Sequence, residues 1–180
     1  MDQRIILFRG MNTGGVRAPV AEQRAMAAEM GLGNPRTLLA SGNLVVESDR
    51  DPARLEGEVE AAMEARFGLK VAVMVRTLAD WRSLIDANPF GSEAAAEPSK
   101  VLAMVMKAGV KADALEACRA LAEGGERVEA VGGVLYFWFP EGQGRSKMAE
   151  KATPRLLGMG TGRNWNTVLK LGAMVGLSPD

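Results

Sequence analysis

Thr37-Leu38-Leu39-Ala40-Ser41-Gly42-Asn43-Leu44-Val45-Val46-Glu47-Ser48, followed by Asp51-Pro52, is the stretch whose reading decides the fold. Thr37–Ala40 and Leu44–Ser48 read as short strands joined at Ser41-Gly42-Asn43, a turn in which glycine can take φ > 0. Asp51-Pro52 then opens a helix whose apolar Leu55, Val59, Met63 and Phe67 recur every four residues, and Gly68 stops it. Upstream, Arg4–Arg9 is strand-like, and a helix runs from about Pro19 to Met30, ending at Gly31. Downstream, Val71–Val75 is a fourth strand, so the order is βαββαβ. Thr77-Leu78-Ala79-Asp80 matches a capping box for a helix that buries Leu78, Trp81, Leu84 and Ile85 and ends before Asn88-Pro89-Phe90.

The rest of the chain repeats that order in shorter form. Val101–Met106 reads as a strand, Asp113–Ala122 as a helix, and Arg127–Val131 with Val134–Phe139 as a hairpin across Gly132-Gly133. Helical regions follow at Ser146–Leu157 and from Asn164 to about Val175. The expected organisation is a first subdomain at 1–90, a linker or loop at 91–99 rich in Ala, Glu, Ser and Pro, and a second subdomain at 100–180. In a split βαβ unit the loop leaving the first strand and the hairpin joining the next two lie at one end of the sheet. The Asn12–Gly15 loop and the Ser41–Asn43 turn should therefore be neighbours, and the Gly142–Lys147 loop should open at the other end of its own unit.

Composition removes several function classes. The 180-residue chain is 47% hydrophobic, enough for one sizeable core or two small ones. Its longest apolar runs are strand-length, far below the roughly 20 residues of a membrane span. No signal-peptide plan opens the chain, and its single cysteine allows no internal disulfide, so a cytoplasmic location is expected. Histidine is absent, which removes the usual base for a Ser or Cys nucleophile and the commonest metal ligand. No metal site and no cofactor are expected. Net charge is zero, but residues 1–18 and 145–180 together carry +6 and the middle carries −6. The simple alternative is that helices in the middle have acidic solvated faces.

Glycine-rich segments coincide with the basic ends. Gly142-Gln143-Gly144-Arg145-Ser146-Lys147 leads from a strand into a helix, where freed backbone N–H groups and two cations suit an anion. It lacks Walker A spacing, and a tight turn with Ser146 as helix cap explains it equally well. Arg163-Asn164-Trp165-Asn166-Thr167 also opens a helix, with Asn164 as cap and Trp165, Val168, Leu169 and Gly172 buried. Capping leaves Arg163 and Asn166 unexplained, because an arginine beside a helix N-terminus opposes the dipole unless an anion or a carboxylate such as Glu141 or Glu150 is near. Arg9-Gly10-Met11-Asn12-Thr13-Gly14-Gly15 lacks dinucleotide-binding spacing and reads otherwise as a φ > 0 turn. The aromatic strand Tyr136-Phe137-Trp138-Phe139 invites comparison with RNA-stacking sheets, yet one alternate pair should be core and the other covered by helices.

These segments, together with Ser41-Gly42-Asn43, Asn88-Pro89-Phe90 and Thr161-Gly162, resemble a bacterial family known as domain of unknown function 1697 (DUF1697). The family pattern carries Val at the place of Thr13 and Ala at the place of Gly162. The resemblance implies an α+β fold of two ferredoxin-like (α/β-plait) subdomains, βαββαβ followed by a variant βαββ plus C-terminal helices, and it brings no activity. The residues themselves point to a phosphate-bearing small molecule or nucleotide held by Arg9, Asn12, Gly14, Gly15, Ser41, Asn43, Arg145, Ser146, Lys147, Arg163 and Asn166. A nucleic-acid-binding module is the second reading, and near-neutral charge counts against it. A phosphoester-directed enzyme with Glu141 as base is the third, and no catalytic residue is otherwise indicated. In the fourth, the polar motifs only satisfy one another.

Overall fold

The computed structural model describes residues 1–11, 17–39 and 42–177. The chain divides into two compact units, Met1–Arg82 with Leu171–Asp180, and Ser83–Lys170. Each contains one four-stranded antiparallel sheet with helices, giving a mixed α+β protein. Among the described residues no helix is long and apolar enough to cross a membrane.

In the first unit the strands β1 (Gln3–Phe8), β2 (Gly33–Thr37), β3 (Asn43–Glu47) and β4 (Val73–Thr77) lie in the order β2-β3-β1-β4. Helix α1 spans Val20–Glu29 and α2 spans Pro52–Phe67. The local signals in α2 act as read: Asp51 accepts a hydrogen bond from the Arg54 N–H at 3.1 Å, and Gly68 ends the helix in the left-handed region at φ +68°. Leu55, Val59 and Met63 pack beneath β1 with Ile6, Phe8, Val46 and Val75. Phe8 N–H donates to Gly42 O at 3.0 Å, which ties the last residue of β1 to the residue before β3, while the expected meeting of the Asn12–Gly15 loop with Ser41 lies outside the described residues.

Strand β2 is displaced from the expected Thr37–Ala40 to Gly33–Thr37. It contains Pro35, which cannot donate to a ladder and is tolerated because β2 is an edge strand whose register shifts between Gly33 and Arg36. Leu38 and Leu39 lie past its end, and Leu39 is exposed at φ +64°.

The opposite edge, β4, is closed by side chains. The Arg9 N–H bonds Ala72 O, so alternate N–H groups of β4 face away from β1. Val73 donates to Glu60 Oε2 at 3.1 Å, Val75 to Glu56 Oε2 at 2.9 Å and Thr77 to Asp80 Oδ2 at 2.9 Å. Four helical residues advance about 6 Å and two strand residues about 6.6 Å, so α2 can present carboxylates four apart to every second strand position. Asp80 lies in α3 (Leu78–Asp86), and its own N–H donates to Thr77 Oγ1 at 3.0 Å, which completes the expected capping box.

Residues 91–96, read above as linker or loop, form α4 (Gly91–Ala96), followed by a 3-10 turn at Pro98–Lys100. This segment belongs to the second unit, where Glu93 pairs with Arg127 at 2.5 Å. Beyond it come β5 (Val101–Met106), α5 (Ala114–Leu121), β6 (Arg127–Val131), β7 (Val134–Trp138), α6 (Lys147–Lys151) and α7 (Pro154–Leu157). A further strand, β8 (Gly160–Asn164), precedes α8 (Trp165–Met174), so the second sheet has four strands in the order β6-β7-β5-β8 and the expected three-strand variant is corrected. The glycines of β8 pack closely against β5, Gly160 most tightly. A Cβ on Gly160 would come within 2.6 Å of Met106 Sδ and 3.0 Å of Val105 O, and one on Gly162 within 3.1 Å of Leu102. In α8 Leu169 is exposed, and Trp165, Val168, Leu171 and Gly172 are buried.

The aromatic strand separates as its alternation requires. Phe137 and Phe139 stack at 5.6 Å in a core with Met104, Met106, Cys118, Leu135 and Met148. Tyr136, on the other face, is fully buried and donates its hydroxyl to Leu84 O at 2.7 Å. Burial pushes its phenol well above the ordinary value of 10. A phenol raised above its unfolded value contributes stability that is complete below about pH 10 and is lost as pH rises beyond it. Tyr136 is the sole tyrosine, so an alkaline titration followed by tyrosinate absorbance reports it alone. Absorbance should rise only together with unfolding, and Tyr136→Phe should flatten the alkaline decline of the urea midpoint. Tyrosinate formed in folded protein near pH 10 would refute this.

Candidate functional site

The anticipated site residues divide between the two units. Asn12, Gly14, Gly15 and Ser41 lie outside the described residues. Arg9 is half-buried just past β1. Asn43 is buried and donates its side-chain amide to Leu38 O at 3.2 Å, which ties the hairpin together.

In the second unit, the loop after β7 turns at Gly142, whose N–H bonds Phe139 O at 2.9 Å and whose φ is +82°. Ser146 caps α6, its Oγ accepting from the Ala149 N–H at 3.0 Å. The loop borders an open cleft of about 500 Å³ walled by Glu123, Glu126, Glu141, Arg145, Ser146 and Lys147. A second recess of about 480 Å³ lies along Gln143, Gly144, Arg145 and Glu150. Gly144 has an ordinary backbone and a Cβ there would touch nothing, so neither turn geometry nor packing calls for glycine at that position.

The charges of the cleft differ in their engagement. Lys147 Nζ lies 3.4 Å from Glu123 in an ion pair whose members are each 66% exposed, a contact that water and salt weaken readily. Glu126 Oε1 accepts the Glu123 N–H at 3.0 Å and closes the turn before β6. Arg145 and Glu141 are exposed and make no hydrogen bond or ion pair with the described residues.

Register explains why these loops meet. Arg127, the first residue of β6, pairs with Trp138, the last of β7, so the α5–β6 and β7–α6 loops emerge at one end of the sheet. Sequence reading found Arg145, Ser146 and Lys147 and missed Glu123 and Glu126. Their signal was Glu123-Gly124-Gly125-Glu126, a turn that the strand order brings opposite.

Arg163 and Asn166 do not line that cleft. Arg163 lies in β8, and its Nη1 donates to Thr161 Oγ1 at 2.6 Å and Gly162 O at 2.8 Å. Burial pushes its guanidinium down to about 10, which still leaves it charged at neutral pH. The dipole conflict read from sequence is therefore met by hydroxyl and carbonyl acceptors within the strand. Asn164 caps α8 by accepting from the Thr167 N–H at 3.0 Å, and Asn166 is exposed on the first turn. Asn164 pairs with Leu102 while Trp138 pairs with Val101, so the start of α8 and the β7–α6 loop share one end of the sheet. Their strands flank β5 and stand two spacings apart, about 10 Å.

The cleft chemistry is that of charge pairing. Cys118 is buried and burial pushes its thiol up, which suppresses the thiolate a nucleophile needs. Among the described residues, no group of three or more Cys, Asp or Glu is placed to hold a metal ion.

Comparison with known proteins gives a fold and a family. The structure of conserved bacterial protein SP0830 from Streptococcus pneumoniae is similar to this chain, with TM-score 0.78, 20% identity, and coverage of 97% of this chain and 98% of that one. No curated protein matches. A family model described as "Protein of unknown function (DUF1697)" matches residues 1–136, which covers the Met1–Arg82 part of the first unit, β5 to β6 and the start of β7, and stops before the Gly142–Lys147 loop. With three-quarters of its length matched by that model, the chain belongs to the DUF1697 family.

Proposed function

We propose that this protein binds a small phosphate-bearing molecule inside the cell, at the cleft beside the β7–α6 loop. The observation that carries the reading is Arg145: an exposed guanidinium without a partner among the described residues, next to Lys147 in a cavity of about 500 Å³. Guanidinium and ammonium groups at a cleft wall are the usual means of holding phosphate oxygens. Of the eleven residues singled out by sequence, Arg145 and Lys147 are the ones this reading assigns to the ligand, with Ser146 shaping the loop. The strand order shared by both sheets, second-third-first-fourth, supports reading each unit as a ferredoxin-like plait.

The test is a thermal-shift screen with inorganic phosphate, nucleotides and sugar phosphates. A binder should raise the midpoint, and Arg145→Ala should weaken it about tenfold, the loss of one charge-assisted contact. Gly144→Val, whose Cβ enters open space, should leave the unliganded midpoint unchanged. Failure of every phosphate compound to shift the midpoint defeats the proposal.

A second reading has its own support. Asn43, Ser146 and Arg163 spend side-chain groups on a hairpin, a helix cap and a strand. On that reading, those three are architecture. Asn43→Ala and Ser146→Ala would then lower stability without altering phosphate affinity.

A further inference from the structure

We propose that the ligand of the β7–α6 cleft is zwitterionic, a phosphomonoester that also carries a protonated amine. This rests on the phosphate reading above and specifies the substrate class. The walls hold three carboxylates, Glu123, Glu126 and Glu141, against two cations, Arg145 and Lys147, so the cleft walls are net negative by one charge. A phosphate dianion alone adds to that negative charge. Two of the carboxylates are engaged: Glu126 closes a turn on the Glu123 N–H, and Glu123 pairs with Lys147. Glu141 is the carboxylate left over, with no hydrogen bond or ion pair to the described residues, as Arg145 is the cation left over. A cleft that presents one free anion and one free cation is complementary to a molecule bearing both signs. A ligand amine on Glu141 with its phosphate on Arg145 pairs both left-over groups, and its positive charge leaves the occupied cleft one unit less negative than a phosphate dianion alone would. Lys147 can swing from Glu123 to the phosphate because that pair is solvent-exposed.

The experiment uses isothermal titration of the full chain with four probes: inorganic phosphate, ethyl phosphate, O-phosphoethanolamine and ethanolamine. Ethyl phosphate and O-phosphoethanolamine differ by the amine alone. O-phosphoethanolamine should bind about fivefold more tightly than ethyl phosphate, the value of one exposed ion pair, with ethanolamine weakest. Glu141→Gln should abolish that difference, bringing the two phosphomonoesters to equal affinity, with circular dichroism unchanged. Arg145→Ala should weaken both. Equal affinities in the unmodified protein overturn the zwitterion proposal and leave phosphate binding standing. A Glu141→Gln variant that weakens both compounds alike also overturns it, since the carboxylate then acts without reference to the amine. Binding of none of the phosphates overturns both readings together.

Discussion

Phe137→Ala is expected to lower the unfolding free energy by about 3–5 kcal/mol, the usual cost of truncating a buried aromatic ring. The side chain is fully buried at the centre of the second core, and its ring lies within 5° of parallel to that of Phe139. Truncation removes the transfer free energy of the ring and leaves a cavity beside Met104, Leu135 and Cys118, and the stacking contribution is lost as well. Sheet residues on both sides of Phe137 are tied into ladders, with Tyr136 paired to Ala103 and Trp138 to Val101, so the cavity can collapse only partly. Phe137→Leu keeps most of the volume and should cost less than about 1.5 kcal/mol. Urea unfolding followed by far-UV circular dichroism measures both. A loss below about 1 kcal/mol for the alanine variant contradicts this account of the core.

Glu56→Ala is expected to cost about 3 kcal/mol, well above the ordinary effect of changing a glutamate on a helix. Its carboxylate accepts from the Val75 N–H at 2.9 Å and from Arg76 Nη1 at 3.3 Å, and the residue is buried. Removing it strips a backbone donor and an arginine of the same acceptor. Glu56→Gln keeps a side-chain oxygen for Val75 and should recover about half of the loss. If alanine and glutamine behave alike, charge alone matters and the strand-edge hydrogen bond contributes nothing. The alanine variant should also aggregate sooner on warming, since an edge strand with unmet N–H groups is a template for pairing.

What could be read from the sequence depended on whether its cause was local. Helix α2 was legible because its signals sit within or beside it: Asp51 at the start, apolar residues every four positions, Gly68 at the end. Strand β8 was not, because Gly160-Thr161-Gly162 shows no apolar alternation. Its glycines answer to Leu102 and Met106 on the neighbouring strand, a constraint that exists only after the sheet forms. Strand β2 was misplaced for a related reason. Pro35 argues against a strand unless that strand is known to be an edge.

The site followed the same rule. Arg145 and Lys147 stood out by composition, whereas Glu123 and Glu126 joined them only through the register of β6 on β7. Arg163 shows the opposite failure. Its neighbour Asn164 was correctly read as a cap, but the guanidinium belongs to a strand, where Thr161 Oγ1 and Gly162 O receive it.

The carboxylates that close β4 bear on how the chain finds its register. The N–H groups that Glu60 and Glu56 accept from belong to Val73 and Val75, the same residues whose side chains enter the first core. A slip of β4 by one residue would therefore take Val73 and Val75 out of the core and away from those carboxylates at the same moment. Helix α2 and the first core thus select the same register for the strand that follows the helix.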